Sequence, residues 1–117
     1  MTDFDRDTAL AQNLLDALDV RAKASLHNIA NQNVPGFKRY VVRFEELLRQ
    51  LLQDGDEKGA AAVAPVVERD ESGPPGQNNV SIVDEAALLD KTRLLHEFLS
   101  RRVGSYFHTL NRAIFGR

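Results

Sequence analysis

The side chains that could do chemistry are spread thinly along the chain, beginning with its three histidines. His96 and His108 are twelve residues apart, so a helix would place them on one face but about 18 Å apart along its axis. His27 lies far from both in sequence. Metal ligands must converge on one ion, and this spacing does not bring two imidazoles together. We therefore predict no metal site and no cofactor.

The hydroxyl and carboxylate groups also lack a catalytic context. The serines at positions 25, 81, 100 and 105 do not lie in a nucleophile-elbow pattern, and no Gly-rich phosphate loop follows a strand. The carboxylates of segment 54–71 lie in a stretch expected to be too flexible to hold a catalytic geometry. The chain has no cysteine, which excludes disulfides and thiolate chemistry. We predict that the protein is not an enzyme and has no small-molecule substrate.

One basic and aromatic segment, SRRVGSYFHTLNR, could bind nucleic acid through Arg101, Arg102 and Arg112. The formal net charge of the whole chain is −2, which gives no general attraction to nucleic acid. Cations near the end of a helix also match its dipole. We interpret this segment as the solvated end of an amphipathic helix, with a nucleic-acid-binding helix as an alternative.

Two long helical patterns enclose these residues. In residues 7–31, apolar or small side chains recur with alternating spacings of four and three, the pattern of a coiled-coil or bundle seam. Residues 81–115 carry a second stripe, interrupted by Thr92, with Ser81 as a candidate cap. The side chains predicted to pack between helices are Leu15, Leu18, Ile29, Leu95, Leu99, Val103, Leu110 and Ile114.

Between the helices, residues 32–53 are expected to form a turn and a short helix. Residues 54–79 are rich in glycine and proline and predict a flexible loop, with a short extended piece at Val63–Val67. The predicted fold is a single all-α domain, 1–117. Its long N- and C-terminal helices pair as an antiparallel, coiled-coil-like hairpin around a short extended or loop insert. Such a hairpin encloses little core, so the monomer is expected to be only marginally ordered.

No apolar run approaches the length of about 20 residues that a membrane-spanning helix needs. The acidic start, MTDFDRDTAL, has neither a basic nor an apolar signal region. We therefore expect no transmembrane segment and no cleavable secretory signal.

The stretch HNIANQNVPGFKRY follows the first helix. Asn31 and Asn33 tolerate a left-handed backbone and suit a helix end. Pro35 and Gly36 predict the centre of a type II turn, with Gly36 at positive φ. Lys38 is expected to be a solvated charge. This stretch resembles the motif that axial proteins of the bacterial flagellum carry after their N-terminal helix. The matching residues are Asn28, Ile29, Ala30, Asn31, Pro35, Gly36, Phe37 and Lys38.

The resemblance extends to the C-terminal helix, where Asn78, Asn79 and Val80 precede an acidic and then Leu-rich pattern, although Ser81 stands where the family more usually has Asp. The short insert is similar to that of the proximal rod proteins. The resemblance implies a structural rod subunit that assembles with itself and other basal-body proteins into a tube lined by paired helices. It also implies export by the flagellar type III apparatus without a cleaved signal, to the rod in the periplasmic space.

Two other interpretations stay open at this point. One is a different axial protein of the same family with a longer segment around the motif. The other is a cytosolic helical adaptor or chaperone that binds a partner helix in a groove.

Overall fold

The computed structural model describes residues 3–46, 49, 53–55, 59 and 62–116. Helix α1 spans Asp3–Ala30 and helix α2 spans Ile82–Phe115. The Ser81 hydroxyl accepts a hydrogen bond from the Asp84 N–H at 3.3 Å, which confirms Ser81 as the cap of α2. At the other end Gly116 has a φ of 68° and donates its N–H to the Arg112 carbonyl, the left-handed helix ending that glycine favours.

The all-α prediction is wrong in one respect, because the insert forms a small sheet. Strand β1, Tyr40–Arg43, pairs antiparallel with strand β2, Val66–Arg69, with Tyr40 opposite Arg69 and Arg43 opposite Val66. Each strand contributes two adjacent valines, whose branched side chains favour extended backbone. Segment 54–79 therefore contains a paired strand where the sequence predicted a loop with a short extended piece.

The two helices run antiparallel. Asn28 near the end of α1 bonds to Glu85 near the start of α2. Further along, Asp19 pairs with His96, so residue numbers fall along α1 as they rise along α2. Within the described part of the chain, no helix is long and apolar enough to cross a membrane.

The apolar core lies between the helices and the residue that follows β1. Ala17, Leu18 and Phe44 form its buried centre, and the partly buried Leu99 and Val42 pack against them. Full burial of a Leu or Phe side chain contributes about 1.5–3 kcal/mol to the free energy of unfolding. The predicted face of α1 is shifted by one position near its end, where Asn28 is buried and its neighbour Ile29 only half-buried. The core thus gives way to polar side chains at the turn end of the molecule.

Candidate functional site

The turn after α1 has the predicted geometry. Gly36 has a φ of 74°, and the Phe37 N–H donates to the Val34 carbonyl at 3.2 Å. This is the bond that closes a type II turn centred on Pro35 and Gly36. The Gly36 prediction is confirmed.

Helix α1 ends at Ala30, directly before Asn31. Among the described residues only glycines have positive φ, so Asn31 and Asn33 do not use the left-handed conformation that they tolerate. The Asn31 side-chain amide instead donates to the His27 carbonyl at 2.8 Å. The same carbonyl accepts from the Asn31 N–H at 3.2 Å, so Asn31 supplies it with both a backbone and a side-chain donor at the helix end.

Asn28 connects three elements from a fully buried position, with 0% of its surface exposed. Its Oδ1 accepts from the Tyr40 N–H at 2.7 Å, and its Nδ2 donates to the Tyr40 carbonyl at 2.9 Å. The same Nδ2 donates to Glu85 Oε1 at 3.1 Å. The carboxamide thus pairs with the edge of β1 much as a neighbouring strand would, while it also holds the first turn of α2.

Arg39 extends this network from β1 to the segment after β2. Its Nε donates to Glu85 Oε1 at 2.6 Å, and its Nη1 donates to Asp70 Oδ2 at 3.2 Å. Glu85 is 1% exposed, and a buried carboxylate is stable when a paired cation and hydrogen bonds compensate its lost hydration. Glu85 Oε2 has no hydrogen-bond partner among the described residues, so the compensation falls on Oε1.

The hydrogen bonds and ion pairs of this network shift the pKa values of Arg39 and Asp70. Desolvation by burial lowers the pKa of Arg39, but its hydrogen bonds and charge interactions with Glu85 and Asp70 outweigh that effect and raise the pKa. The pKa of Asp70 is lowered, chiefly by its hydrogen bonds with Ser72 and then by Arg39. Both groups are therefore held in their charged forms.

Two asparagines before α2 complete the connection. Asn79 Oδ1 accepts from the Arg39 N–H at 2.7 Å, and its Nδ2 donates to the Asp70 carbonyl at 2.6 Å. Asn78 Nδ2 donates to the Val34 carbonyl at 2.8 Å. We call the group Asn28, Arg39, Asp70, Asn79 and Glu85 the polar joint. It binds the end of α1, the small sheet and the start of α2 into one unit.

Lys38 is not a solvated charge, contrary to the expectation from sequence. Its Nζ donates to the carbonyls of Ser72 at 3.2 Å and Pro74 at 3.0 Å. Both acceptors belong to the Gly/Pro-rich segment after β2. The Lys38 ammonium group therefore connects that segment to the turn that follows α1.

An aromatic cluster covers the same end of the molecule. The rings of His27, Phe37 and Tyr40 lie 5.3 to 6.1 Å apart. The Arg69 guanidinium carbon lies 3.8 Å from the centroid of the Tyr40 ring and 5.0 Å from that of Phe37. Cation–π contacts of this kind add modest stability, and they join the exposed β2 to the turn.

The side chains predicted to pack between helices occupy different environments. Leu15 and Leu18 are buried, and Ile29, Leu99 and Val103 are half-buried. Leu95 and Ile114 are exposed in this chain, and the Leu110 side chain lies outside the described residues. The part that these eight residues play in packing stays a prediction.

The motif residues cluster around the turn. Asn28 belongs to the polar joint, Ile29, Asn31, Phe37 and Lys38 are partly buried, and Ala30, Pro35 and Gly36 are exposed. The sequence analysis assigned no role to Arg39 or Asp70 and included Glu85 only in the acidic pattern that follows Val80. The Arg after the motif Lys and the acidic first turn of α2 were the available signals. They lacked a spatial link, because Arg39 and Glu85 are 46 residues apart.

The polar joint connects the elements of the fold through hydrogen bonds among its own side chains and to backbone groups. Within the described residues no three His, Cys, Asp or Glu side chains converge on a possible metal position. What the arrangement can do is fix the direction of the sheet and of both helix ends.

Comparison with known proteins finds a relative that aligns with nearly the whole chain. No family model matches the chain. The flagellar basal body rod protein FlgB of Borreliella burgdorferi is 24% identical over 131 aligned positions, which cover 95% of this chain and 97% of that protein. The similarity therefore runs over both helices and the insert.

Proposed function

We propose that this protein is a structural subunit of the proximal rod of the bacterial flagellar basal body. The observation that carries the proposal is the similarity to FlgB over nearly the full length of both chains. The alignment leaves little of either chain unmatched, and the relative is named as a rod protein rather than an enzyme.

The geometry supports a load-bearing role. A subunit of a rotating shaft must keep its helices and its projecting insert in fixed relative directions. The polar joint does this with buried bonds from Asn28 and Arg39 to Glu85, and directional hydrogen bonds resist rotation better than apolar contact alone. In this proposal the chain leaves the cytoplasm through the flagellar type III apparatus and assembles in the periplasm with itself and other rod proteins.

The direct test is deletion of the gene in the organism that encodes it. We expect non-motile cells whose purified basal bodies lack rods, with both defects restored by the wild-type gene. Complementation with Asn28→Leu should fail, because Leu cannot bond to the Tyr40 backbone. Complementation with Asn31→Ala, which removes only an exposed amide bond, should succeed. Normal rods in the deletion strain would refute the proposal.

A second candidate is a helical adaptor, favoured by one observation. A groove of about 570 Å³ runs beside the core and is lined largely by apolar side chains, among them Leu14, Phe44, Phe98 and Leu99. Grooves of this kind bind amphipathic helices. Fractionation separates the two roles, since a rod subunit is recovered in purified basal bodies and an adaptor stays with its partner in the soluble fraction.

A further inference from the structure

A second cavity, separate from the polar joint, lies between α1, β1 and α2. Its volume is about 200 Å³, and its polar lining comprises Arg21, Ser25, Glu45 and Lys91, with Val42 and Leu88 on its apolar walls. Neither the motif nor the rod proposal assigns these polar residues a role. Two residues with little exposed surface, Arg21 and Ser25, present polar groups to the cavity.

Arg21 is the main one. Its side chain is 7% exposed, and a guanidinium carries five N–H donors. Within the described chain its hydrogen-bonding partner is Glu45, and Phe44 lies under the guanidinium with its ring centroid 4.9 Å from Cζ. Most of its donors are left without a protein acceptor. These donors are not sealed from solvent, because the fully buried side-chain atom without a partner among the described residues is Glu85 Oε2 and not an atom of Arg21. They are therefore open to an acceptor that enters the cavity.

Ser25 adds a second unfilled group. Its residue is 1% exposed, and its hydroxyl makes no hydrogen bond within the described part of the chain. Lys91 brings a second cation to the opposite wall. Against these, Glu45 supplies one negative charge, and its side chain is half exposed. The polar lining therefore carries a net positive charge and a surplus of donors.

We propose that this cavity binds one oxyanion group, a carboxylate or a phosphate, between Arg21, Ser25 and Lys91. A water molecule takes about 30 Å³, so 200 Å³ admits one such group with a few waters. Sites for drug-sized ligands begin at about 300 Å³, which excludes a nucleotide. The group comes from one of two sources: a free anion, or an acidic side chain of a neighbouring copy of this chain.

Titration of the isolated full chain with inorganic phosphate, and separately with acetate, tests the site. Amide chemical shifts are followed at constant ionic strength set with chloride. We expect saturable shifts at Arg21, Ser25 and Lys91, with Lys91→Met weakening the apparent affinity about tenfold, since a charge-assisted bond is lost. Arg101→Met removes a matched exposed cation of α2 and should change the affinity less than twofold. Both residues are exposed, so neither change threatens the fold.

Zero-length carbodiimide coupling of the concentrated chain distinguishes the sources. An intermolecular link from Lys91 to a carboxylate, suppressed by phosphate, identifies an acidic side chain of a second copy. Phosphate or acetate binding without that link identifies a free anion. If neither anion gives saturable shifts and no link forms, only water fills the cavity and the proposal is wrong. These outcomes do not depend on whether the chain builds a rod.

Discussion

At the scale of single residues, Asn28 has the most concentrated role, because one carboxamide makes three buried hydrogen bonds. Asn28→Ala removes them and leaves the Tyr40 backbone groups without a partner inside the protein. Each buried group left unsatisfied costs about 1–3 kcal/mol. We expect a loss of about 3 kcal/mol or more in the free energy of unfolding, measured by urea denaturation followed by circular dichroism.

The matched control for that change is Asn31→Ala. It deletes an amide bond at the surface of the same turn, where water can replace the protein partner, so the expected loss is under about 1 kcal/mol. Equal losses for the two variants would show that the burial of Asn28 does not increase the contribution of its hydrogen bonds to the free energy of unfolding.

Gly36 tests the turn separately from the network. An added Cβ would meet the Gly76 carbonyl oxygen at 3.5 Å, an ordinary contact, so space is not the obstacle. The obstacle is the φ of 74°, which costs an L-residue about 1–2 kcal/mol. We expect Gly36→Val to lower the free energy of unfolding by at least that amount, because Val is β-branched.

Gly104→Ala is the converse control for the turn. Gly104 lies inside α2 with nothing near an added Cβ, so alanine should stabilise the helix by up to about 1 kcal/mol. The same urea titration measures both variants. Wild-type stability of Gly36→Val would mean that the turn adopts another conformation.

At the scale of elements, the insert divides into parts of unequal importance. Strand β2 pairs with β1, and the segment after it holds Arg39 and Lys38. Deleting 66–69 should therefore abolish the sheet and reduce stability sharply. The sequence of 57–62 has no core pattern, so a shortening there is expected to cost little, since loop-closure entropy changes slowly with length. Thermal unfolding of both deletions measures this, and equal effects would contradict it.

The acid response belongs to the same scale, because carboxylates tether the insert. The pKa values of Asp70 and Glu45 are lowered in the folded chain, by bonds with Ser72 and Arg21 respectively. Their contribution is thus fully present above the unfolded-state pKa values, near 4, and is lost as pH falls through the lower folded values. We expect the free energy of unfolding to decline below about pH 4, with a shallower decline in Asp70→Asn. Identical slopes would exclude Asp70 as a contributor.

The elements also show how far sequence could lead. Both helices followed from periodic apolar residues, and the turn followed from Pro35 and Gly36, because these signals are local. The pairing of β1 with β2 and the bond between Arg39 and Glu85 join residues that are far apart in sequence. Arg39 and Glu85 are 46 positions apart. No local rule encodes such a contact. The prediction that Lys38 is a solvated charge is wrong because its acceptors are backbone carbonyls of a distant segment. Any residue type can supply a backbone carbonyl, so the sequence does not mark such acceptors.

At the scale of the whole molecule, order is expected to decrease from one end to the other. The polar joint, the sheet and the core lie towards the turn. Beyond Val103, by contrast, every described side chain of α2 is exposed. Few contacts and exposed backbone bonds mark segments that open readily. The isolated chain is therefore expected to be a monomer, ordered at the joint and loose at the far end of α2.

The surface of α2 explains what would order that end. Leu94 is 67% exposed and lies on the face opposite the Glu85 and Thr92 positions that meet α1. Phe98 is 57% exposed and lines the apolar groove beside the core. We expect fast hydrogen exchange beyond Gly104 in the dilute monomer, slow exchange near Asn28, and protection of the far end only on assembly. Sedimentation velocity checks the monomer, and mass spectrometry reads the exchange. Uniform slow exchange along α2 in a dilute monomer would mean that the chain completes its own fold without neighbours.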